Sequence, residues 1–435
     1  MLRVRFCPKT LLGIFLLLLL GFTARAQAND TSFRLTKISA TGAPSLDESQ
    51  IVQVSGLSVG ESVTLQNLHD AANRLAQYGM FQEVSYEYQT HGSDMDLVFK
   101  VVAAKNLLTS KFENFVWFTP AELDSQLMKS VPLYAGAVPA SGQMSNAVSS
   151  ALRSMLKSKG VPGDVNSILS SAGPGQPITG LEFSVTGVSL PIQEVHFPGA
   201  NAISEDTLRD NAKFLLGQDY TQSGVDTFVR ESFNPLYGER GYLRTQFDKP
   251  VVRVLDSNFS HATQAVAVTV PVHEGASYDW GGAVWNGNQV LSSAALEKLL
   301  GMPVHSAANM TKYEQGMKSI QNAYLNQGYL QTKIIPQQIL DDATRQVSYR
   351  FSIEEGPQYR MGTLTINGLS ANLSKQIAKT WKLHPGDAYD GNYLKVFMKQ
   401  AMTDLFKSGH PSSNAKISMN PDQATHTVNV EINFQ

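Results

Sequence analysis

Five evenly placed glycines constrain this chain more than any other feature. Gly79, Gly160, Gly241, Gly328 and Gly409 lie 81, 81, 87 and 81 residues apart. Four positions before each stands Leu75, Leu156, Tyr237, Tyr324 or Leu405, and eight before stands Ala71, Leu152, Phe233, Ile320 or Ala401. Apolar residues at i and i+4 share one face of a helix. A glycine that follows such a stripe reads as the left-handed residue that ends the helix. The period exceeds the roughly 20–45 residues of a solenoid repeat, so each copy is long enough to hold a small core of its own.

Two further features recur in step. Ile38-Ser-Ala-Thr-Gly42, Val195-His-Phe-Pro-Gly199, Ala283-Val-Trp-Asn-Gly287 and Leu364-Thr-Ile-Asn-Gly368 each read as a short strand closed by a glycine turn. The second copy has Phe112-Glu-Asn114, where asparagine is expected to take the positive φ. Helix starts follow at Ser45, Thr119, Ser204 and Ser292, and Ser45–Glu48 and Thr119–Glu122 have the spacing of capping boxes. Alternating runs come last: Leu97, Phe99, Val101; Leu181, Phe183, Val185; Val266 to Val272; Val347 to Ile353; and Val428 to Phe434. Period-two alternation marks a strand with one buried face. The third and fourth runs close on Glu274-Gly275 and Glu355-Gly356, read as sharp linkers.

The expected fold class is therefore α+β. Five tandem units, each β-α-α-β-β, are expected to pack a three-stranded mixed sheet on two helices. Their boundaries are residues 27–103, 104–188, 189–275, 276–356 and 357–435. The second unit is the most divergent, with a Gly/Pro-rich insert around Ala172-Gly-Pro-Gly-Gln-Pro177.

Residues 1–26 read as a secretory signal peptide. Arg3, Arg5 and Lys9 precede an apolar run from Leu11 to Phe22, and small-x-small cleavage patterns follow at Ala24-Arg25-Ala26 and Ala26-Gln27-Ala28. The run is shorter than the ~20 residues of a spanning helix, and no later stretch is long enough to span. Cys7 is the only cysteine, so cysteine-ligated zinc or iron–sulfur centres and intramolecular disulfides are excluded. Lys+Arg is 35 against 37 Asp+Glu, a balance that argues against nucleic acid as a partner. The expected product is exported to the periplasm, peripheral at the outer membrane in one version of that reading.

The order of these motifs resembles polypeptide-transport-associated (POTRA) domains: a strand ending in Asn-Gly, a helix ending in Gly-Tyr (Gly241-Tyr242, Gly328-Tyr329), and an alternating strand closing on Glu-Gly. Five in tandem behind a signal peptide are similar to the periplasmic arm of BamA-like outer-membrane protein assembly factors. Such proteins continue into a transmembrane β-barrel, for which this sequence leaves no residues. The resemblance implies a non-enzymatic binding and scaffold role. The partners it implies are unfolded outer-membrane proteins, together with a separate β-barrel assembly protein or periplasmic chaperones. Two alternatives stand beside it: a barrel-less remnant or split half of an assembly factor, and a structural envelope scaffold.

A three-stranded sheet has two edges with unpaired N–H and C=O groups, to which an extended client can add as a strand. By resemblance, the second strand of a unit is the accepting edge. The candidates are Leu243 to Val254 and Leu330 to Ile339, with Leu243, Thr245, Phe247, Val252 and Val254, and Leu330, Thr332, Ile334 and Ile335, as client-flanking residues. Apolar parity changes between Phe247 and Val252, which predicts a break near Pro250. Pro250 and Pro336 interrupt each edge, and proline there equally reads as protection against aggregation.

Chemistry of other kinds finds no support. Gly56-Leu-Ser58-Val-Gly60 has the G-x-S-x-G nucleophile pattern but reads as an interhelix turn. His273-Glu274 lacks the second histidine of a zinc-protease helix. No catalytic residue, metal or cofactor is expected. Trp285 and Trp381 read as core residues, and the tail Val428–Phe434 as the last strand of the fifth unit.

Overall fold

The computed structural model describes residues 31–171, 173–256, 258–407 and 414–435, together with a two-residue strand at Val4–Arg5. The apolar part of the leader and its cleavage site, Cys7 and Gly409 lie outside the described residues. The protein is mixed α+β and divides into two compact units. One comprises residues up to Phe197 with Arg209–Thr227 and Lys249–Val270; the other comprises Pro198–Leu208, Phe228–Asp248 and Pro271–Gln435.

The first unit holds three sheets. In the first, strand Asp94–Ala103 lies between Phe33–Thr41, parallel to it, and Phe81–His91, antiparallel to it. In the second, Ile178–Thr186 lies between parallel Leu107–Phe112 and antiparallel Asp164–Ser171, and Ala137–Pro139 extends the ladder. In the third, Val266–Thr269 lies between Ile192–His196 and Val251–Val254. The second unit repeats the arrangement. Gln346–Glu354 separates Asp279–Asn286 from Lys333–Asp341, and Thr427–Phe434 separates Arg360–Asn367 from Ala415–Asp422. A two-stranded ladder of Gln246–Phe247 with Val272–His273 completes it. The first sheet has five strands and the second four, not the expected three, because short strands at Val4–Arg5, Ser62–Val63 and Ala137–Pro139 add to them; in every set the alternating strand from the sequence lies between the two main partners.

The helical stripe is buried as its spacing dictates. Ala71, Leu75, Leu152, Leu156, Phe233, Tyr237, Ile320, Tyr324, Ala401 and Leu405 are all between 0 and 1 % exposed. Leu65–Tyr78 ends on Gly79 at φ 94°, and Gly160, Gly241 and Gly328 also have positive φ. Thr119 and Glu122 form the expected capping box. The box expected at Ser45 is not formed. Asp47 caps the helix Glu48–Ser55 instead, accepting from Ser49 N and Gln50 N, while Glu48 accepts from Ala40 N at 3.0 Å. An aspartate two residues later offers a carboxylate to two free helix amides, which a serine hydroxyl at Ser45 is too far back to reach.

The glycine turn after each first strand has one steric cause. A Cβ at Gly42, Gly199 or Gly287 would lie 2.3, 2.3 or 2.2 Å from the carbonyl oxygen of Val101, Val272 or Ile353. At Gly368 it would lie 1.9 Å from Phe434 O. All four glycines have φ between 83° and 96°. Asn114 does not supply a positive φ in the second sheet, contrary to expectation. Its side chain acts instead: Nδ2 donates to Val185 O at 3.0 Å, and Val185 N donates to Oδ1 at 2.7 Å. Val185 is the counterpart of Val101, Val272, Ile353 and Phe434. A side chain thus bridges a gap that the glycine turns close by direct approach.

Gly287 and Gly301 separate the two costs of such a site. Gly301, at φ 68°, has open space where a Cβ would go, so Gly301→Ala is expected to cost about 1 kcal/mol from backbone conformation alone. Gly287→Ala adds the overlap with Ile353 O and is expected to cost about 3 kcal/mol. Denaturant midpoints of the two variants check the order; equal losses would remove the carbonyl contact as the reason for glycine.

Candidate polypeptide-binding site

Where the chain passes from a helix to an edge strand, two nearly identical corners form. After Gly241, Tyr242 packs edge-on against Tyr237 at 6.0 Å; after Gly328, Tyr329 packs edge-on against Tyr324 at 6.3 Å. The next residues, Leu243 and Leu330, turn inward. Leu243 packs against the core of Tyr278, Trp280 and Trp285, and Leu330 against the core of Tyr359, Met361 and Phe434. Thr245 Oγ1 donates to Tyr242 O and Glu274 O, both at 3.2 Å. Thr332 Oγ1 donates to Tyr329 O at 3.0 Å and Glu355 O at 3.1 Å. These four residues are therefore structural corners and not part of an edge strand.

The two Glu-Gly pairs are more than linkers. Glu274 Oε1 accepts from Asn201 N, Ala202 N and Tyr237 OH at 2.7, 2.8 and 2.9 Å. Glu355 Oε1 accepts from Gln289 N, Val290 N and Tyr324 OH at 2.8, 2.8 and 3.0 Å. Each carboxylate ties the loop after a glycine turn to the buried helical tyrosine. Burial, and secondarily the carboxylate, push the hydroxyls of Tyr237 and Tyr324 well above the ordinary tyrosine range. Sequence reading missed these bonds, although a Tyr 37 or 31 residues before each Glu-Gly was visible.

The remaining candidates fall on ladders. Phe247 pairs with Val272, and its ring lies 6.1 Å from Phe233 and 5.9 Å from Tyr237. Val252 and Val254 lie on Val251–Val254, the edge strand beside Val266–Thr269. The ladder containing Phe247 is separate from this one, so the chain breaks between Phe247 and Val251, where the parity change falls. Ile334 and Ile335 lie on the edge strand Lys333–Asp341. Ile334 packs on the core, whereas Ile335 is 52 % exposed on the opposite face. Ile339 and Val284 are exposed on that face too. Pro336 sits within an unbroken ladder opposite Phe351. A proline is tolerated there only with its nitrogen turned away from the partner strand, so this edge lacks one outward donor.

Ser58 stands in the turn between the helices Glu48–Ser55 and Leu65–Tyr78, and its N–H donates to Glu61 Oε2 at 3.0 Å. That position has neither the preceding strand nor the following helix of a nucleophile elbow. Trp285 stacks on Phe351 at 4.2 Å inside a core, and Trp381 packs against Tyr393 and Phe397. Thr427–Phe434 is paired on both sides, as the last strand of a sheet core. Among the described residues no helix is long and apolar enough to cross a membrane.

Mixed sheets with a central alternating strand, backed by helices that end in glycine, define a class of small α+β modules. The POTRA family profile, described as "Surface antigen variable number repeat", matches residues 278–356, so this stretch is a POTRA domain. The chain is similar to a putative outer membrane protein assembly factor of Treponema pallidum, 24 % identical over 227 residues, covering 51 % of this chain and 26 % of that one. It is also similar to outer membrane protein assembly factor BamA of Neisseria meningitidis serogroup B, 22 % identical over 259 residues, covering 56 % and 31 %. A crystal structure of Haemophilus influenzae BamA POTRA3-5 superposes with a TM-score of 0.42 at 19 % identity, covering 57 % of this chain and 96 % of that one. The chain thus spans between a quarter and a third of the length of the curated relatives it matches. It carries a POTRA domain and is similar to BamA-like outer-membrane protein assembly factors.

The corner at Leu243 carries a titratable clasp. Arg244 Nη1 lies 3.0 Å from Asp342 Oδ2, Tyr278 OH donates to Asp342 Oδ1 at 2.5 Å, and the guanidinium sits 5.7 Å from the Tyr278 ring centre. The Tyr278 hydroxyl, and after it Arg244, hold the Asp342 carboxyl below its usual 3.8. A folded-state pKa below the unfolded one stabilises above the unfolded value and is lost as pH falls through the folded one. Asp342→Asn is therefore expected to lower the melting temperature at about pH 7, with the gap closing below about pH 4. A gap independent of pH would remove the ionised carboxylate from the clasp.

Proposed function

We propose that this chain is a non-enzymatic periplasmic module of five tandem POTRA-like domains that assists the assembly of outer-membrane proteins. In this reading the domains span 27–103, 104–188, 189–275, 276–356 and 357–435, behind a signal peptide at 1–26. Each has three main strands and two helices, with short strands added at Ser62–Val63 in the first and Ala137–Pro139 in the second. Unfolded outer-membrane proteins are received as extended strands at open sheet edges, and a barrel protein or periplasmic chaperones act alongside. Similarity to assembly factors supports the role. The observation that carries the mode of binding is the free edge of Lys333–Asp341, with Ile335 and Ile339 exposed beside it. Val252, Val254, Ile334 and Ile335 are then edge residues, while Leu243, Thr245, Phe247, Leu330 and Thr332 hold the corners from which the edges start.

Backbone hydrogen bonds read no sequence, so one edge serves many clients. A unfolded β-barrel protein diluted from urea is expected to scatter light less when the full chain is present at equimolar amounts. A urea-unfolded helical protein is expected to be helped little. Equal scattering with and without the chain would sink the assembly role.

A further inference from the structure

Charge is spread unevenly along the chain. Residues 27–356 hold 23 Lys and Arg against 32 Asp and Glu, whereas residues 357–435 hold eight against five. The last stretch is thus net +3 behind a stretch that is net −9.

The excess sits on two helices. Ala371–Ala378 buries Ile377, and Tyr393–Lys407 buries Leu394, Phe397, Ala401 and Leu405. These join one core with Val428, Val430, Ile432 and Phe434, the alternating face of the central strand. Both helices therefore cover one side of the sheet, and their opposite faces form an outer layer. That layer carries Lys375, Lys379, Lys395, Lys399 and Lys407, all exposed. Asp404 is the one carboxylate on either helix, and it accepts from Gln400 Nε2 at 2.9 Å. Val396 and Phe406 stand among the lysines, 65 % and 67 % exposed, with Met402 exposed beside them. At about 100° per residue, Lys395, Val396, Lys399, Met402 and Phe406 all fall on the side opposite the four buried residues.

We propose that this outer layer of residues 371–407 rests on an anionic phospholipid surface. Lysines mixed with apolar side chains on one exposed helix face are the chemistry of a helix lying in a bilayer interface. The ammonium groups meet headgroup phosphates, and the apolar groups reach below them. An acidic protein fits the same charge less well. Protein interfaces are depleted in lysine and favour arginine around a continuous apolar centre. Here every cation on the two helices is lysine, and the apolar side chains are interspersed with them. Lysine's flexible stem lets each ammonium reach a phosphate whose position is not fixed. The layer uses no sheet edge, so the inference is independent of strand addition.

The test sediments residues 27–435 with sucrose-loaded vesicles; the apolar leader is left out because it would seek lipid by itself. In about 0.1 M NaCl the chain is expected to bind vesicles of about 70:30 phosphatidylcholine and phosphatidylglycerol, and not vesicles of phosphatidylcholine alone. About 1 M NaCl, which shortens the screening length from about 10 to about 3 Å, is expected to release it. Lys395→Glu combined with Lys399→Glu is expected to weaken binding at least about tenfold, and Phe406→Ser at least about threefold. Lys312→Glu combined with Lys318→Glu, both exposed on the helix Met310–Leu325, is expected to change it less than about twofold. Circular dichroism melting confirms that the variants fold. Equal binding to both vesicle types, no binding to either, or equal losses in the two double variants overturns the inference. Binding of polyglutamate that Lys395→Glu with Lys399→Glu abolishes, with no vesicle bound, assigns the layer to an acidic polypeptide and overturns it as well. None of these outcomes bears on client capture, which the light-scattering comparison reads separately.

Discussion

The structure depends on the carbonyl near the end of each alternating run. Val101, Val272, Ile353 and Phe434 each present a backbone oxygen to the glycine that ends the parallel first strand. Close approach lets the chain turn from strand to helix directly over the core. The second helix of each set lays its i, i+4 stripe in the same core as the alternating face of the central strand. Burial of that stripe stabilises at roughly 25 cal/mol per Å² of apolar surface removed from water. Where glycine is missing, Asn114 replaces the contact with two hydrogen bonds to Val185. One backbone point thus joins the end of the first strand to the end of the alternating run.

The corners at Leu243 and Leu330 apply the same economy to the chain's continuation. In each, tyrosine, leucine and threonine have separate tasks. The tyrosine packs back on the helix, the leucine enters the following core, and the threonine hydroxyl bonds the carbonyl of the Glu-Gly glutamate. Tyr278 N donates to Gly241 O and Tyr359 N to Gly328 O, both at 2.8 Å. The residues around them are not equivalent. Arg244 meets Asp342 in an ion pair, whereas Gln331 Nε2 donates to Tyr359 OH at 2.9 Å. An exposed ion pair of this kind is screened by solvent and contributes little, so the inserted leucine and the backbone bonds carry most of each corner.

Much of this was legible because it is periodic. The stripe from Ala71 and Leu75 through Ala401 and Leu405, and the alternation from Leu97 to Phe434, follow from helix and strand geometry and needed no tertiary knowledge. Local chemistry was less legible. Asp47 outcompetes Ser45 as a cap because of where the helix begins, which spacing alone does not fix. Contacts between distant residues were not legible at all: Trp117 Nε1 donates to the buried Gln264 Oε1 at 2.8 Å across 147 residues. The candidate edges suffered from the same limit. Thr245 and Thr332 look like solvent-facing strand residues in sequence, yet their hydroxyls are spent on carbonyls that only the folded corner brings near.

Edge chemistry decides what kind of binding such sheets allow. Each backbone hydrogen bond contributes about 0.5–1.5 kcal/mol net, whereas ordering an added strand costs about 1–2 kcal/mol per residue. Backbone pairing alone therefore does not hold a client. Apolar side chains on the edge must offset the difference, at about 1.5–3 kcal/mol for each fully buried one. On Lys333–Asp341, Ile335 and Ile339 are present but Pro336 removes a donor between them. A surplus of only a few side chains keeps the residence of any strand added at such an edge short.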